Sequence, residues 1–225
     1  MGWSDWVRGA EVEPSLYGAD FARLGEQVDE LLAAGVRMFH FDVGDGHFVE
    51  PITMGPIVLQ AISERIHAAG SFVDVHLMVE RPVKYFHPLV AAGGDSITFH
   101  YEAVDKVGAT IAEARDHGLQ VGVAFNPETE PAAVAAVAAE ADVVLCMAIH
   151  PGYSGQPFEE TAVARVRELR ELLPPEVLIQ VDGGVGETNI TRLRDAGALL
   201  FVAGSSVFSG GDPPVAYRRL ALAVQ

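Results

Sequence analysis

Four residues near the ends of three apolar segments have side chains that bind metal ions. His40 and Asp42 lie in the segment 38–43, where alternate residues of a strand project to the same face. His76 ends a second apolar segment and Asp182 ends a third. Imidazole and carboxylate groups are ligands for zinc, iron, manganese and cobalt, so these residues predict one divalent transition-metal ion as cofactor.

Each of these residues also has an ordinary structural explanation. His40 can be a core histidine bonded to a nearby acid, His76 can donate to a buried carbonyl, and Asp182 can form a turn. One site that uses all four residues explains their common position at strand ends, which four separate roles do not. The pattern therefore favours the metal site.

Glycine-rich segments follow the last three apolar segments of the chain. Backbone N–H groups in such loops, together with helix N-termini, bind phosphate without a cationic side chain. The alternative is three ordinary turns between strands and helices. We predict phosphate contacts from the following residues: Gly152, Tyr153, Ser154, Gly155, Gly183, Gly184, Gly204 and Ser205.

Strand-like and helical segments alternate along the whole chain. Strands are predicted at 10–17, 38–43, 72–77, 96–99, 120–125, 143–147, 178–181 and 200–202. Helices are predicted at 21–33, 56–68, 82–91, 103–117, 131–138, 161–173, 188–195 and 214–223. Eight repeats of this unit predict an α/β protein with one domain over 1–225, a (β/α)₈ TIM barrel with residues 1–9 as an N-terminal extension. An open doubly wound sheet is the alternative, and the count of eight favours closure.

The composition restricts the classes of partner. The chain has 15 basic and 31 acidic residues, a net charge of −16, which argues against nucleic acid or an anionic membrane as partner. No apolar segment approaches the roughly 20 residues of a membrane span. A single cysteine, Cys146, excludes an internal disulfide, and we expect a cytoplasmic protein. Neither Lys84 nor Lys106 ends a predicted strand, which argues against a Schiff-base aldolase.

Several longer motifs occur in order through most of the sequence. They are Pro-Ser-Leu at 14–16, Ala-Asp-Phe-Ala-Arg-Leu at 19–24, His-Phe-Asp at 40–42, Asp-Gly-His-Phe-Val at 45–49, Asp-Val-His-Leu-Met-Val at 74–79, Met147 followed by Pro-Gly-Tyr at 151–153, Val-Asp-Gly-Gly-Val at 181–185 and Ala-Gly-Ser at 203–205. Together they resemble the ribulose-phosphate 3-epimerase family over residues 14–213.

The resemblance implies an enzyme that interconverts D-ribulose 5-phosphate and D-xylulose 5-phosphate. It implies a metal held by His40, Asp42, His76 and Asp182. It implies that Asp42 and Asp182 are the catalytic acid/base pair. It implies substrate contacts from Ser15, His76, Met78, Met147, Asp182 and the three glycine loops. Members of the family form dimers or hexamers, so we expect a homo-oligomer.

The expected chemistry agrees with these residue types. Epimerisation at C3 of a 2-ketose phosphate removes a proton next to a carbonyl and returns one to the opposite face. Two carboxylates on opposite sides of the carbon can act as base and acid. A metal that contacts the C2 and C3 oxygens would stabilise a cis-enediolate.

Two departures from the family pattern leave alternatives open. Gly44 stands where the family usually has methionine, and Tyr17 stands where it usually has leucine. We hypothesise that Tyr17 fills the gap at Gly44. An extra pocket at Gly44 would instead suit a six-carbon ketose phosphate such as D-allulose 6-phosphate. A hexulose-phosphate synthase-like lyase and a noncatalytic sugar-phosphate binder are further alternatives.

Overall fold

Eight parallel strands form a nearly closed barrel in the computed structural model, which describes residues 2–225. The strands are β1 (Glu11–Pro14), β2 (Met38–Gly44), β3 (Phe72–Met78), β4 (Ser96–His100), β5 (Gln120–Phe125), β6 (Val143–Met147), β7 (Leu178–Asp182) and β8 (Leu200–Ala203). They follow the order β1-β8-β7-β6-β5-β4-β3-β2, and the parallel bridge between Ser15 and His40 joins the two ends of the sheet. The predicted (β/α)₈ TIM barrel is confirmed.

Each strand is followed by at least one α-helix. The helices are α1 (Trp3–Trp6), α2 (Leu24–Ala33), α3 (Pro56–Ala68), α4 (Val83–Ala91), α5 (Val107–Asp116), α6 (Pro131–Ala138), α7 (Thr161–Leu172), α8 (Ile190–Ala196), α9 (Ser205–Phe208) and α10 (Pro213–Ala223). Short 3₁₀ turns occur at Leu16–Gly18, Phe21–Arg23 and Tyr101–Ala103. No helix within residues 2–225 is both long and apolar enough to cross a membrane.

Several predicted element boundaries are wrong. The strand predicted at 10–17 ends at Pro14, and the chain turns into the 3₁₀ segment Leu16–Gly18. The helices predicted to begin at 103 and 188 begin at Val107 and Ile190. Before the helix that begins at Ile190, the Asn189 side chain bonds to the loop: its Oδ1 accepts from Gly186 N at 2.9 Å, and its Nδ2 donates to Gly184 O. Such local bonds compete with helix formation.

The alternation expected for β2 is present in the structure. Phe39, Phe41 and Val43 belong to the apolar core, whereas His40 and Asp42 are buried polar residues outside that cluster. Since successive side chains of a strand point to opposite faces, the histidine and the aspartate share the inner face of the barrel. The strand therefore delivers two polar groups to one place while its other face secures the fold.

Helix α1 closes the amino-terminal end of the barrel, and the sequence reasoning did not predict it. Trp6 stacks on Phe72 with ring centroids 4.6 Å apart, and Trp3 lies 5.3 Å from Trp6. Both tryptophans pack in a small apolar cluster with the buried strand residues Met38, Val143 and Leu200. The two tryptophans lie three residues apart, on one side of a helical turn, and this spacing is the signal that could have predicted the helix.

Candidate metal centre and substrate pocket

The four predicted metal ligands lie together at the carboxyl end of the barrel. Ligand atoms of His40, Asp42, His76 and Asp182 all lie within 4.8 Å of one another. The register of β2 against β3 pairs Asp42 with His76, and His76 Nδ1 lies 3.1 Å from Asp42 Oδ1. The same nitrogen lies 3.9 Å from Asp182 Oδ2, and His40 Nε2 lies 3.3 Å from Asp42 Oδ1.

His40 offers a free nitrogen to this cluster. Its Nδ1 lies 3.1 Å from Asp74 Oδ2, and Asp74 also accepts from Ser96 Oγ at 2.6 Å and Gln180 Nε2 at 2.9 Å. His40 Nε2 is buried and has no hydrogen-bond partner. A carboxylate on one imidazole nitrogen commonly orients the other nitrogen toward a metal. The unpartnered nitrogen and the adjoining carboxylates therefore fit a divalent cation.

The two carboxylates at the centre differ in their affinity for protons. Burial opposes ionisation of Asp42, but the neighbouring His40 and His76 lower its pKa far below the usual value. Burial and then the charge of Asp42 raise the pKa of Asp182. Burial also disfavours a charged His40, yet Asp42, Asp74 and Glu13 raise its pKa well above the usual value. Two carboxyl groups whose environments separate their pKa values are suited to act as base and acid.

A second polar layer lies directly below the four residues. Glu13, Asp74 and Gln180 are buried, and they precede Ser15, His76 and Asp182 by two positions. Gln180 Nε2 donates to Glu13 Oε2 and to Asp74 Oδ2, both at 2.9 Å. Burial raises the pKa of Glu13 to about 7. The sequence analysis missed this layer, although the same period of two that links His40 to Asp42 could have found it.

His76 has a different support, which the sequence analysis also missed. Its Nε2 lies 2.9 Å from His100 Nε2 at the end of β4. His100 Nδ1 in turn lies 3.3 Å from Glu102 Oε2. Burial lowers the pKa of His100 to about 4. Burial alone would raise the pKa of Glu102, but hydrogen bonds from His100, Thr129 and Asn126 lower it to about 2. The position of His100 at the end of a fourth strand is the sequence feature that could have predicted this contact.

Ser15 and the loop after β2 fix the position of Asp42. Ser15 Oγ donates to Asp42 Oδ2 at 2.6 Å. Thr53 Oγ1 donates to the backbone oxygen of Asp42 at 2.8 Å and accepts from Gly44 N at 2.7 Å. The Ser15 bond holds the carboxylate, and the two Thr53 bonds fasten the loop to the backbone at the end of β2.

The gap expected at Gly44 does not exist. A Cβ at this position would lie 2.8 Å from Pro51 O, 3.0 Å from Val49 Cγ2 and 3.2 Å from Thr53 Cγ2. These three nearest atoms belong to the loop after β2, and none belongs to Tyr17. The loop folds back through a bridge between Asp45 and Ile52 and occupies the space itself.

One pocket brings the predicted substrate residues together above the cluster. Every predicted substrate-binding residue except His76 lines it: Ser15, Met78, Met147, Gly152, Tyr153, Ser154, Gly155, Asp182, Gly183, Gly184, Gly204 and Ser205. His76 is fully buried beneath the pocket. Tyr17 also lines the wall, together with Asp42.

The glycine loops are shaped by close packing as well as by sequence. A Cβ on Gly183 would lie 2.4 Å from Ile149 Cγ1, and one on Gly184 would lie 2.9 Å from backbone atoms of Phe158. Both glycines have positive φ, 112° and 62°. Only glycine fits these positions, which brings bare backbone to the pocket wall.

A model of the ribulose-phosphate 3 epimerase family matches residues 11–208. The chain belongs to this family. Ribulose-phosphate 3-epimerase 2 of Cupriavidus necator is 41% identical over 221 residues, which cover 95% of this chain and 90% of that protein. The ribulose-phosphate 3-epimerase of Serratia marcescens is 39% identical over 204 residues, which cover 89% of this chain and 96% of that protein. The resemblance drawn from the motifs is thereby confirmed.

Solved structures add support for the fold of this family member. A crystal structure of 3-hexulose-6-phosphate synthase matches with a TM-score of 0.74 over 96% of this chain and 100% of that one. The two sequences are 19% identical, so this likeness concerns the barrel alone.

Proposed function

We propose that the protein interconverts D-ribulose 5-phosphate and D-xylulose 5-phosphate by proton transfer at C3. The observation that carries the proposal is the convergence of Asp42 and Asp182 on His76. The carboxylates come from β2 and β7, and their oxygens lie 3.1 Å and 3.9 Å from the same ring nitrogen. Two strands thus present two acids to one small volume at the base of a pocket.

The opposed pKa shifts of the metal-free site support different starting protonation states for the two acids. Asp42, whose pKa is lowered, is ionised and removes the C3 proton, so the electron pair of that bond moves toward the C2 carbonyl. Asp182, whose pKa is raised, carries a proton and delivers it to the opposite face of C3. The carbonyl re-forms, one C–H bond has broken and another has formed, and the reverse reaction exchanges the two roles.

A divalent transition-metal ion held by His40, Asp42, His76 and Asp182 would supply positive charge for the substrate oxygens that become negative during proton removal. Asp74 holds His40 in the orientation that leaves Nε2 free for this ion. Ser15 holds Asp42 by its second oxygen. The protein groups are thereby placed before substrate binds, which lowers the cost of reorganisation during the reaction.

The glycine loops are the proposed phosphate site. Among the described residues that line the pocket there is no lysine or arginine. Backbone N–H groups around Gly183, Gly184 and Gly204 are therefore the donors available to a phosphate. This explains how a chain with a net charge of −16 can hold an anionic sugar.

Two methionines form the apolar part of the pocket. Met78 and Met147 end β3 and β6, and both are almost fully buried. Arg165 donates from Nη1 to Met147 O at 2.8 Å and from Nη2 to Asn126 O at 2.7 Å, which ties the ends of β5 and β6 together. Flexible, polarisable thioethers exclude water from the carbon whose proton moves.

Deuterium incorporation tests the proposal directly. The metal-loaded protein is incubated with D-ribulose 5-phosphate in D₂O, and we expect deuterium at C3 of both ketose phosphates by NMR. Chelation should stop the exchange, and added Zn²⁺, Fe²⁺, Mn²⁺ or Co²⁺ should restore it. Exchange that never appears with metal present would overturn the proposal and favour a sugar-phosphate binder.

Substrate size can be tested in the same assay. The filled space at Gly44 removes the structural reason for a six-carbon substrate, so kcat/KM should favour D-ribulose 5-phosphate over D-allulose 6-phosphate. A homo-oligomer, a cytoplasmic location and the separate status of residues 1–9 stay predictions from the sequence.

A further inference from the structure

We propose that His100 and Glu102 are positioning residues that fix the proton of His76 on Nε2 and so direct the Nδ1 lone pair into the metal site. This inference rests on the metal site of the proposed function, but it does not depend on which sugar is the substrate. It concerns two residues at the end of β4, a strand that contributes none of the four proposed ligands.

A continuous row of polar contacts connects the metal site to Glu102. His76 Nε2 and His100 Nε2 lie 2.9 Å apart, and the ring centroids are 5.0 Å apart with the ring planes inclined by 25°. His100 Nδ1 lies 3.3 Å from Glu102 Oε2. Both histidines are fully buried, and the Glu102 side chain is 23% exposed. Burial leaves water little part in deciding where the protons lie.

The outer end of the row is fixed by two donors to Glu102. Glu102 Oε1 accepts from Asn126 N at 2.8 Å and from Thr129 Oγ1, and Oε2 remains for His100. An ionised carboxylate accepts hydrogen bonds and donates none. A proton on His100 Nδ1 would satisfy this oxygen, and we assign the row this direction rather than the reverse one, in which His76 Nδ1 would donate to Asp42.

The remaining protons follow in sequence. A neutral His100 with its proton on Nδ1 has a bare Nε2, which can only accept. His76 must then donate from Nε2, and its Nδ1 is left bare. That nitrogen lies 3.1 Å from Asp42 Oδ1, so two electron-rich atoms face each other and a cation between them would satisfy both.

The two histidines of the site are therefore supported differently. His40 meets a carboxylate directly, through Asp74 at 3.1 Å, whereas His76 reaches one through a second imidazole. Phe48, in the loop after β2, packs against the His100 ring at 4.7 Å and limits its rotation. The order of donors and acceptors along His76, His100 and Glu102 is thus defined, and the ring of His100 in the middle is restrained.

Glu102→Gln reverses the row with little change of shape. The amide oxygen still accepts from Asn126 and Thr129, but the amide nitrogen now donates to His100 Nδ1. His100 must then donate from Nε2 to His76, and the His76 proton moves to Nδ1, where it blocks the ion. We expect the dissociation constant for Zn²⁺, measured by competition with a chromophoric chelator, to rise by about 10–100-fold.

The ring protons provide a readout independent of activity. Long-range ¹H–¹⁵N NMR of the metal-free wild type should show His76 protonated at Nε2 and His100 at Nδ1, and Glu102→Gln should show both reversed. The matched control is Glu128→Gln, which removes another His–Glu pair, with His150, in which both side chains are 61% exposed. Its Zn²⁺ affinity should equal that of wild type.

The outcomes separate this inference from the proposed function. A wild type without Zn²⁺ affinity would defeat the metal site itself. A wild type that binds Zn²⁺ while Glu102→Gln binds it equally well would overturn the role of Glu102 alone. If Glu102→Gln does not fold, the wild-type spectrum still decides, because a His76 proton on Nδ1 would overturn the inference.

Discussion

The two ends of the barrel are built from the same strands but from opposite kinds of residue. At the carboxyl end, β2 presents Asp42 beside His76, and acids and imidazoles are buried together. At the amino end, β2 begins with Met38, which packs against Trp3 and Trp6 of α1. A single strand thus contributes polar site residues at its carboxyl end and an apolar core residue at its amino end.

This difference separates catalysis from stability along each strand. Acids such as Asp182 and Glu13 have raised pKa values, which means that their ionised forms are unfavourable in the fold. The apolar contacts of Trp6 at the other end contribute favourable burial. Substitutions at the carboxyl end should therefore change rate more than stability, and substitutions at the amino end should do the opposite.

The largest effect is expected from Asp42→Asn and Asp182→Asn. Each removes one member of the proton-transfer pair, so kcat on D-ribulose 5-phosphate should fall by about 10²–10⁴-fold. Both variants should still unfold cooperatively on heating, which shows that the fold is retained. Asp29→Asn, at an exposed residue paired with Arg65, is the control and should keep full activity. A kcat within about tenfold of wild type would exclude that aspartate from the pair.

A large effect of the opposite kind is expected from Trp6→Ala. The ring is 4% exposed and stacks on Phe72, so its loss should lower the free energy of unfolding by about 3–5 kcal/mol. Denaturant titration measures the loss, and kcat should be unchanged below the unfolding transition. Phe21→Ala, at a ring that is 52% exposed, should change both quantities far less. A lower kcat with intact stability would contradict the separation of the two ends.

A smaller effect, dependent on pH, is expected from Glu13→Gln. The pKa of Glu13 is raised by burial from 4.5 to about 7, so the folded metal-free protein holds a proton there that the unfolded chain releases. The stability linked to this proton is complete below the unfolded pKa and is lost as pH rises through the folded one. Between about pH 5 and pH 8 the wild type should lose on the order of 3 kcal/mol relative to Glu13→Gln. Parallel pH profiles of the two proteins would show that Glu13 does not titrate as the structure indicates.

The sequence predicted those parts of the site that depend on one strand at a time. His40 and Asp42 follow from the period of two, and the barrel places His76 and Asp182 at the same end. The links from Asp74 to His40 and from His100 to His76 cross between strands. They depend on register and on side-chain direction, which no single segment reveals.

Loop and terminal structure was predicted less well, for a related reason. The space beside Gly44 is closed by Val49, Pro51 and Thr53, which return to it only because the loop folds back on β2. Helix α1 is only four residues long, and it packs against strands that come later in the chain. Contacts between distant segments decide both features.

The bridge between Ser15 and His40 has a mechanical consequence. It joins the end of β1 to β2 by a single bridge, whereas the other neighbouring strands of the barrel are joined by longer ladders of backbone hydrogen bonds. Both residues also belong to the proposed site, and Ser15 Oγ reaches across the same seam to Asp42. The contacts that close the barrel between β1 and β2 therefore also bring the site residues together. An ion bound by His40 would stabilise this junction.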